Sequence, residues 1–153
     1  RMLAAQAALG LTKTRCLQNN HNFAVRGIDA DLRRLAAAHD IALVSYSPLG
    51  AGFLSGKHTA GVQPRSRFDL IPGHQAIYFQ PTAQARLAQL TDLAHRTGRP
   101  LVQLALAWAL SQPDIATVLI GARSPAHVDQ AFAALEAAAE GDVRDAFRAT
   151  EPS

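Results

Sequence analysis

Along this chain the spacing of apolar residues switches between the helical period near 3.6 and short unbroken runs, and the switches mark candidate helices and strands. Residues 2–10 are rich in Ala and Leu and stop at Gly10, a common helix terminator. Residues 14–18, with Cys16 and Leu17 at their centre, predict a short strand in which Cys16 packs as a small apolar residue. Residues 29–39 put Leu32, Leu35 and Ala36 on one face and Arg33 and Arg34 on another, an amphipathic helix. Residues 41–46 form a compact apolar run of the kind expected of a buried parallel strand. From 48 to 81 the chain is rich in Gly and Pro without sustained period, a long loop of the kind that is usually functional or mobile.

Regular patterning resumes at Thr82, placed to cap a helix whose Leu87, Leu90, Leu93 and Ala94 make one apolar stripe and which Gly98 ends. Pro100 suits a first helical turn, and Leu101, Leu104, Ala105 and Trp108 give the next helix its buried face, with Trp108 in the core. Residues 115–120 predict a third strand. Ser124 and Pro125 then supply a cap and a first helical residue, and Val128, Phe132 and Leu135 are expected to face inward. Beyond Gly141 the pattern weakens to a turn or two around Val143 and Phe147, which sets residues 141–153 apart as a tail from a body of residues 1–140.

Strands alternating with helices predict an α/β fold with about three parallel strands and flanking helices. Three strands cannot close a barrel, and a parallel sheet is normally covered on both faces, so a larger sheet is expected. The chain's start on Arg1, directly within a helical pattern, gives the same expectation: a part of a longer protein.

Composition narrows the class. With 153 residues and 48% hydrophobic, the chain is long and apolar enough to bury a core. Its longest nearly apolar stretch, residues 101–110, is about half of the ~20 residues a membrane helix needs. A single Cys and no leader-like N-terminus point to a reducing, cytoplasmic setting. The net charge of +3 does not mark a nucleic-acid binder, because the basic residues are spread singly among acidic ones, with no stripe or interleaved aromatics. His39, His58, His74 and His95 have no paired-ligand spacing and are read as surface or loop residues, and no metal site is expected.

In α/β folds ligands bind at the C-terminal ends of parallel strands. At the second strand's end stands Tyr46-Ser47-Pro48-Leu49-Gly50-Ala51-Gly52. This segment joins an aromatic that can stack on a flat ring to a turn whose glycines let backbone N–H groups approach phosphate oxygens. At the third strand's end, Gly121, Arg123 and the Ser124-Pro125 cap combine backbone donors, a helix N-terminus and a guanidinium, a combination suited to a phosphate monoester.

Gln18-Asn19 with Asn22 and Arg26, the run from Tyr46 to Lys57, Arg65-Ser66-Arg67-Phe68, Ala107-Trp108-Ala109, and Ile120-Gly121-Ala122-Arg123-Ser124-Pro125 together resemble the C-terminal half of the aldo-keto reductase family. The resemblance covers about residues 1–138, in order and spacing, and leans toward the bacterial aryl-alcohol dehydrogenase-like and potassium-channel β-subunit-like branch. It implies the C-terminal half of a (β/α)₈ TIM barrel, the three strands being the sixth to eighth, and an NADPH-dependent reduction of aldehydes or ketones to alcohols.

The resemblance also implies roles. Gln18 would hydrogen-bond the nicotinamide carboxamide, and Tyr46 would stack on its ring. Ser47, Pro48, Leu49, Gly50 and Gly52 would surround the pyrophosphate, with Lys57 and Arg67 as basic residues farther along that loop. Gly121, Arg123, His127 and Gln130 would meet the adenosine and its 2′-phosphate, Arg123 favouring NADPH over NADH. Gly73-His74-Gln75 and Tyr78-Phe79 would border the substrate pocket.

Three positions depart from the pattern: His21 stands where many members have Tyr, His127 replaces Gln or Arg, and Ala131 replaces an Asn that meets adenine. His21 is read as a tolerated ring. None of the residues matches the family's catalytic Asp, Tyr, Lys and His, which lie on the first four strands. The expectation is therefore a cofactor-holding half, inactive alone, whose partners are a small carbonyl substrate and the other half of the barrel. Its exposed strand edges would favour self-association. Two alternatives stay open: a nucleotide-sensing subunit without catalysis, and another TIM-barrel enzyme with a phosphate-bearing ligand.

Overall fold

Short runs of β-branched, aromatic and amide residues between polar turns form three strands, β1 (Cys16–Asn20), β2 (Ala42–Tyr46) and β3 (Thr117–Leu119). The computed structural model describes residues 1–150. The strands are parallel in the order β1-β2-β3, with Gln18 beside Val44 and with Asn20, Tyr46 and Leu119 in one row at the C-terminal edge. Between and after them come α1 (Met2–Ala8), α2 (Ala30–His39), α3 (Arg67–Leu70), α4 (Gln75–Tyr78), α5 (Pro81–Thr97), α6 (Leu101–Leu110), α7 (Pro125–Ala139) and α8 (Gly141–Arg148). This is the predicted α/β arrangement: an open three-stranded parallel sheet with flanking helices.

The alternation of side chains along a strand divides the sheet into two unlike faces. Leu17 and Leu43 pack with Ile28, Ala36 and Ile41 under α2, and Val118 packs against the larger core. Cys16, Gln18, Ala42, Tyr46, Thr117 and Leu119, on the other face, are exposed. The helices thus cover one face only. The main core gathers Phe23, Leu54, Leu90, Leu93, Leu104 and Trp108, and α8 closes one side of it with Val143 and Phe147.

Each helix boundary has a local cause. The Asp29 carboxylate accepts from the Leu32 N–H at 2.8 Å and starts α2, which ends on Asp40 in the left-handed conformation. Gly98, also left-handed, stops α5.

Several expectations are corrected. β1 begins at Cys16 and not at residue 14, because Gln6 holds Thr14, its amide nitrogen 3.0 Å from the Thr14 hydroxyl; Cys16 is exposed, not packed. β2 starts at Ala42, since the Ile41 N–H is still bonded to the Ala36 carbonyl at 2.9 Å, and β3 spans only Thr117–Leu119 as an edge strand. α5 starts at Pro81 with Gln80 before it, so Thr82 is not its cap. Leu35 is exposed on α2.

On α7 the stripe that packs is the small one: Ala134, Ala137 and Ala138 are buried, and Gln103 of α6 donates to the Ala133 carbonyl at 3.1 Å. Alanines let α6 and α7 approach closely, which leaves the larger Val128, Phe132 and Leu135 outside, Phe132 being 64% exposed. The expected turn or two around Val143 and Phe147 are present as α8, Gly141–Arg148. The long loop is neither structureless nor loose, since it holds α3, α4 and 3₁₀ turns at Gly50–Ser55 and Pro72–His74 around the buried Phe53, Leu54, Phe68 and Tyr78. Among the described residues no helix is long and apolar enough to cross a membrane, and no group of three His, Cys, Asp or Glu side chains is placed to hold a metal.

Candidate functional site

Parallel pairing brings the three strand ends to one edge, and the segments after Asn20, Tyr46 and Leu119 leave the sheet there side by side. Gln18 and Tyr46 both lie on the uncovered face, Tyr46 at the very end of β2 and 38% exposed. The sheet therefore offers an aromatic ring and an amide on neighbouring strands, open to a ligand.

The segment after β2 is shaped by a run of left-handed residues: Ser47 (φ 56°), Gly50 (57°), Ala51 (57°) and Gly52 (95°). Its turns close through Gly50 N–H to the Ser47 carbonyl at 2.8 Å and Gly52 N–H to the Leu49 carbonyl at 3.0 Å. Glycine is required at position 50 on two counts, its positive φ and the Tyr78 ring, whose Cε1 would stand 2.7 Å from an added Cβ.

The buried Asn22 anchors this loop. Its Nδ2 donates to the Ser47 carbonyl at 2.9 Å and to Asn20 Oδ1 at 3.0 Å, while its Oδ1 accepts from the N–H groups of Ala24 and Val25. Asn20 in turn meets the Tyr78 hydroxyl at 3.0 Å. The network fixes the start of the loop to the end of β1 and to the core. Of its members, Asn20 and Asn22 are given no site role by the sequence reading, although an Asn whose side chain can bond backbone groups two and three residues on is a recognisable turn signal.

Lys57 lies over the loop's outer side, its Nζ 3.4 Å from where a Cβ on Gly52 would be. Gly121, Arg123 and Ser124 lead from β3 into α7, with Ser124 in the cap position but making no side-chain cap bond, and His127 Nδ1 accepts the Arg123 N–H at 3.2 Å. The exposed N-terminus of this 15-residue helix carries partial positive charge. Arg67 opens α3 and Gln130 lies on the exposed side of α7; among the described residues no side-chain hydrogen bond joins either to the other candidates.

Two titratable groups near the edge are held in their uncharged forms. His21 is lowered from 6.5 to about 4, first by burial and then by the Arg33 guanidinium, whose Nη2 is 3.3 Å from the ring. Its Nδ1 accepts the Ile28 N–H at 3.2 Å, so the neutral ring carries its proton on Nε2. This is the tolerated, structural ring expected from the sequence. Tyr78, a candidate for substrate contact, is instead core: it is buried, packs on Phe53 and Phe68 at 5.8 Å, and burial pushes its phenol above the ordinary value. Gln75 is likewise turned inward, donating to the Phe68 carbonyl at 3.0 Å. His58, read as a loop residue, is buried with Phe68 and Phe79.

The family model described as Aldo/keto reductase family matches residues 4–148. The chain belongs to the aldo/keto reductase family. Among curated relatives, the protein named tas of Escherichia coli (strain K12) is 30% identical over 106 residues, 69% of this chain and 31% of that protein. A putative voltage-gated potassium channel subunit beta of Schizosaccharomyces pombe is 29% identical over 124 residues, 78% of this chain and 36% of its own length. A protein named uncharacterized oxidoreductase YrpG, of Bacillus subtilis (strain 168), is 29% identical over 128 residues, 80% and 36% of the two chains. These alignments take in about a third of each relative. The aldo/keto reductase assignment makes the parent family one of oxidoreductases and agrees with the open parallel sheet as part of a (β/α)₈ barrel.

Proposed function

We propose that this chain is the cofactor-holding part of an NADPH-dependent aldo/keto reductase that converts aldehydes or ketones to alcohols. The observation that carries the reading is Tyr46, a large ring left on the uncovered face at the C-terminal end of the central strand, directly before a glycine-containing loop with Lys57 over it. The residues present fit a dinucleotide: a flat ring, a neighbouring amide, a glycine whose missing Cβ lets the Lys57 ammonium lie close over the loop, and a helix N-terminus, all at one sheet edge.

When bound, the cofactor supplies a hydride for the carbonyl carbon. Tyr46 presents its ring to the nicotinamide and thereby fixes which face is offered to the substrate. Gln18, on the same face of the adjacent strand, holds the carboxamide. Ser47, Pro48, Leu49, Gly50 and Gly52 set the backbone around the diphosphate, with Lys57 and Arg67 as its counter-charges. Gly121, Arg123, His127 and Gln130 line the path of the adenosine, where the α7 N-terminus and the Arg123 guanidinium suit a 2′-phosphate.

Reduction also needs a proton for the carbonyl oxygen. Tyr46 is occupied by stacking, and Tyr78 is buried, hydrogen-bonded to Asn20 and held above its ordinary value. Neither is the acid. That role is assigned to the family's Tyr, with its Lys, His and Asp, in the part of the relatives this chain does not span, and the chain alone is proposed to be inactive.

The test is a calorimetric titration of the chain with NADPH and NADH. NADPH should bind more tightly, and Tyr46→Ala should weaken both about tenfold, corresponding to roughly 1.4 kcal/mol of stacking. Arg123→Ala should narrow the difference between the two cofactors and leave NADH unchanged. Equal affinities in the unaltered chain would remove the role given to Arg123, and absence of binding to either would overturn the reading.

A further inference from the structure

The turn after Ser55 brings a buried imidazole under the loop that Lys57 covers. His58 is only 4% exposed, and its ring stands edge-on to Phe68 at 4.9 Å and to Phe79 at 6.4 Å. The Gln63 N–H donates to its Nδ1 at 3.3 Å. A main-chain N–H can only donate, so the neutral ring carries its proton on Nε2. That nitrogen is buried without a hydrogen-bond partner. It lies 4.0 Å from the point where a Cβ on Gly52 would stand, and Lys57 Cε and Nζ lie 3.2 and 3.4 Å from the same point. A donor and an ammonium thus converge on one spot of the loop.

We infer that His58 is a further member of this anion site, its Nε2–H directed toward Gly52 and the Lys57 ammonium, and that it takes up a proton from solvent when an anion settles on Lys57. The proton goes to Nδ1, where the Gly61 carbonyl replaces the Gln63 N–H as its partner. The inference rests on the dinucleotide reading only for the identity of the anion, a diphosphate. Buried donors are nearly always paired, and beside an ammonium the fitting partner is an anionic oxygen. Burial, and after it the Lys57 charge, keep the ring neutral below its ordinary range. An anion on Lys57 offsets the second of these causes. Asp92 and His95 of α5 line the same cavity as His58, and the Asp92 carboxylate is already engaged by Arg96 at 2.8 Å. Among the described residues no acidic side chain bonds the imidazole; its polar contacts are to main chain, at Gln63 and Gly61, the second of which favours the protonated ring.

The measurement is the titration midpoint of His58, followed by NMR in the full 153-residue chain. NADH is one probe, because it carries the diphosphate but lacks the 2′-phosphate, which would titrate near pH 6 itself. Inorganic sulfate is the second, an anion that stays fully ionised across the range. Both should raise the midpoint, and Lys57→Gln should raise it without any anion. Calorimetry with NADH at pH 6 in two buffers of different ionisation enthalpy should show uptake of a fraction of a proton, lost in His58→Phe. If sulfate raises the midpoint but NADH does not bind, the inference stands and the dinucleotide reading falls. A midpoint unmoved by sulfate, or unmoved by Lys57→Gln, overturns the inference, as does proton uptake unchanged in His58→Phe.

Discussion

Among the described residues two histidines are buried, and the neighbours of each decide what its ring can do. At His21 Nδ1 is committed to the Ile28 N–H and Nε2 faces Arg33, so an added proton would have to displace the Ile28 bond and would leave a positive ring buried beside a guanidinium. The sign of the pH effect follows. The folded value, about 4, lies below the unfolded 6.5, so on acidification the unfolded chain binds a proton before the folded one does. Stability conferred by the neutral ring is complete above pH 6.5 and is lost as pH falls toward 4, on the order of 3 kcal/mol in all. Denaturant unfolding between pH 7 and pH 4 should show this loss, and His21→Gln, which keeps an acceptor but does not titrate, should flatten the curve in that window. An unchanged slope would place the acid sensitivity elsewhere.

At the scale of elements, the loop between β2 and α5 behaves as a built part. Gly50 is its tightest point, where a methyl group meets the Tyr78 ring and the backbone is left-handed. Gly50→Ala should therefore cost about 1–3 kcal/mol in denaturant unfolding. If the ring simply moved aside, the loss would fall to about 1 kcal/mol, that of the left-handed backbone alone. Much of the surrounding architecture was legible from local pattern: α2 between Asp29 and Asp40, α5 ending at Gly98, Trp108 in the core, the parallel order of the strands. The loop was not, because α3 and α4 span only four residues each and are held by distant partners of Phe68 and Tyr78, not by any period of their own. The inward face of α7 was misread for a related reason. Two stripes of that helix share the same period, and close contact with α6 selects the one with small side chains. Tyr46 and the glycine loop could be found because a strand end followed by glycines is local information. Asn22 and His58 act through partners that only the fold brings near.

For the whole molecule, the deciding fact is a sheet finished on one side. The chain spans about a third of the curated relatives it matches, and three parallel strands leave two edges and one face uncovered. Leu119 on that face and Val128, Phe132 and Leu135 on α7 add exposed apolar surface. Expressed by itself, the 153-residue chain should self-associate, with an apparent mass in sedimentation velocity that rises with concentration. A single monomeric boundary at all concentrations would count against this.

The alternation along the strands also separates two kinds of evolutionary freedom. Substitutions at Leu17, Leu43 and Val118 answer to folding, whereas those at Gln18, Tyr46 and Thr117 meet almost no core atoms and answer to whatever lies above the open face. Neighbouring positions one residue apart can therefore drift under different pressures, and a change of ligand preference need not pass through a loss of stability.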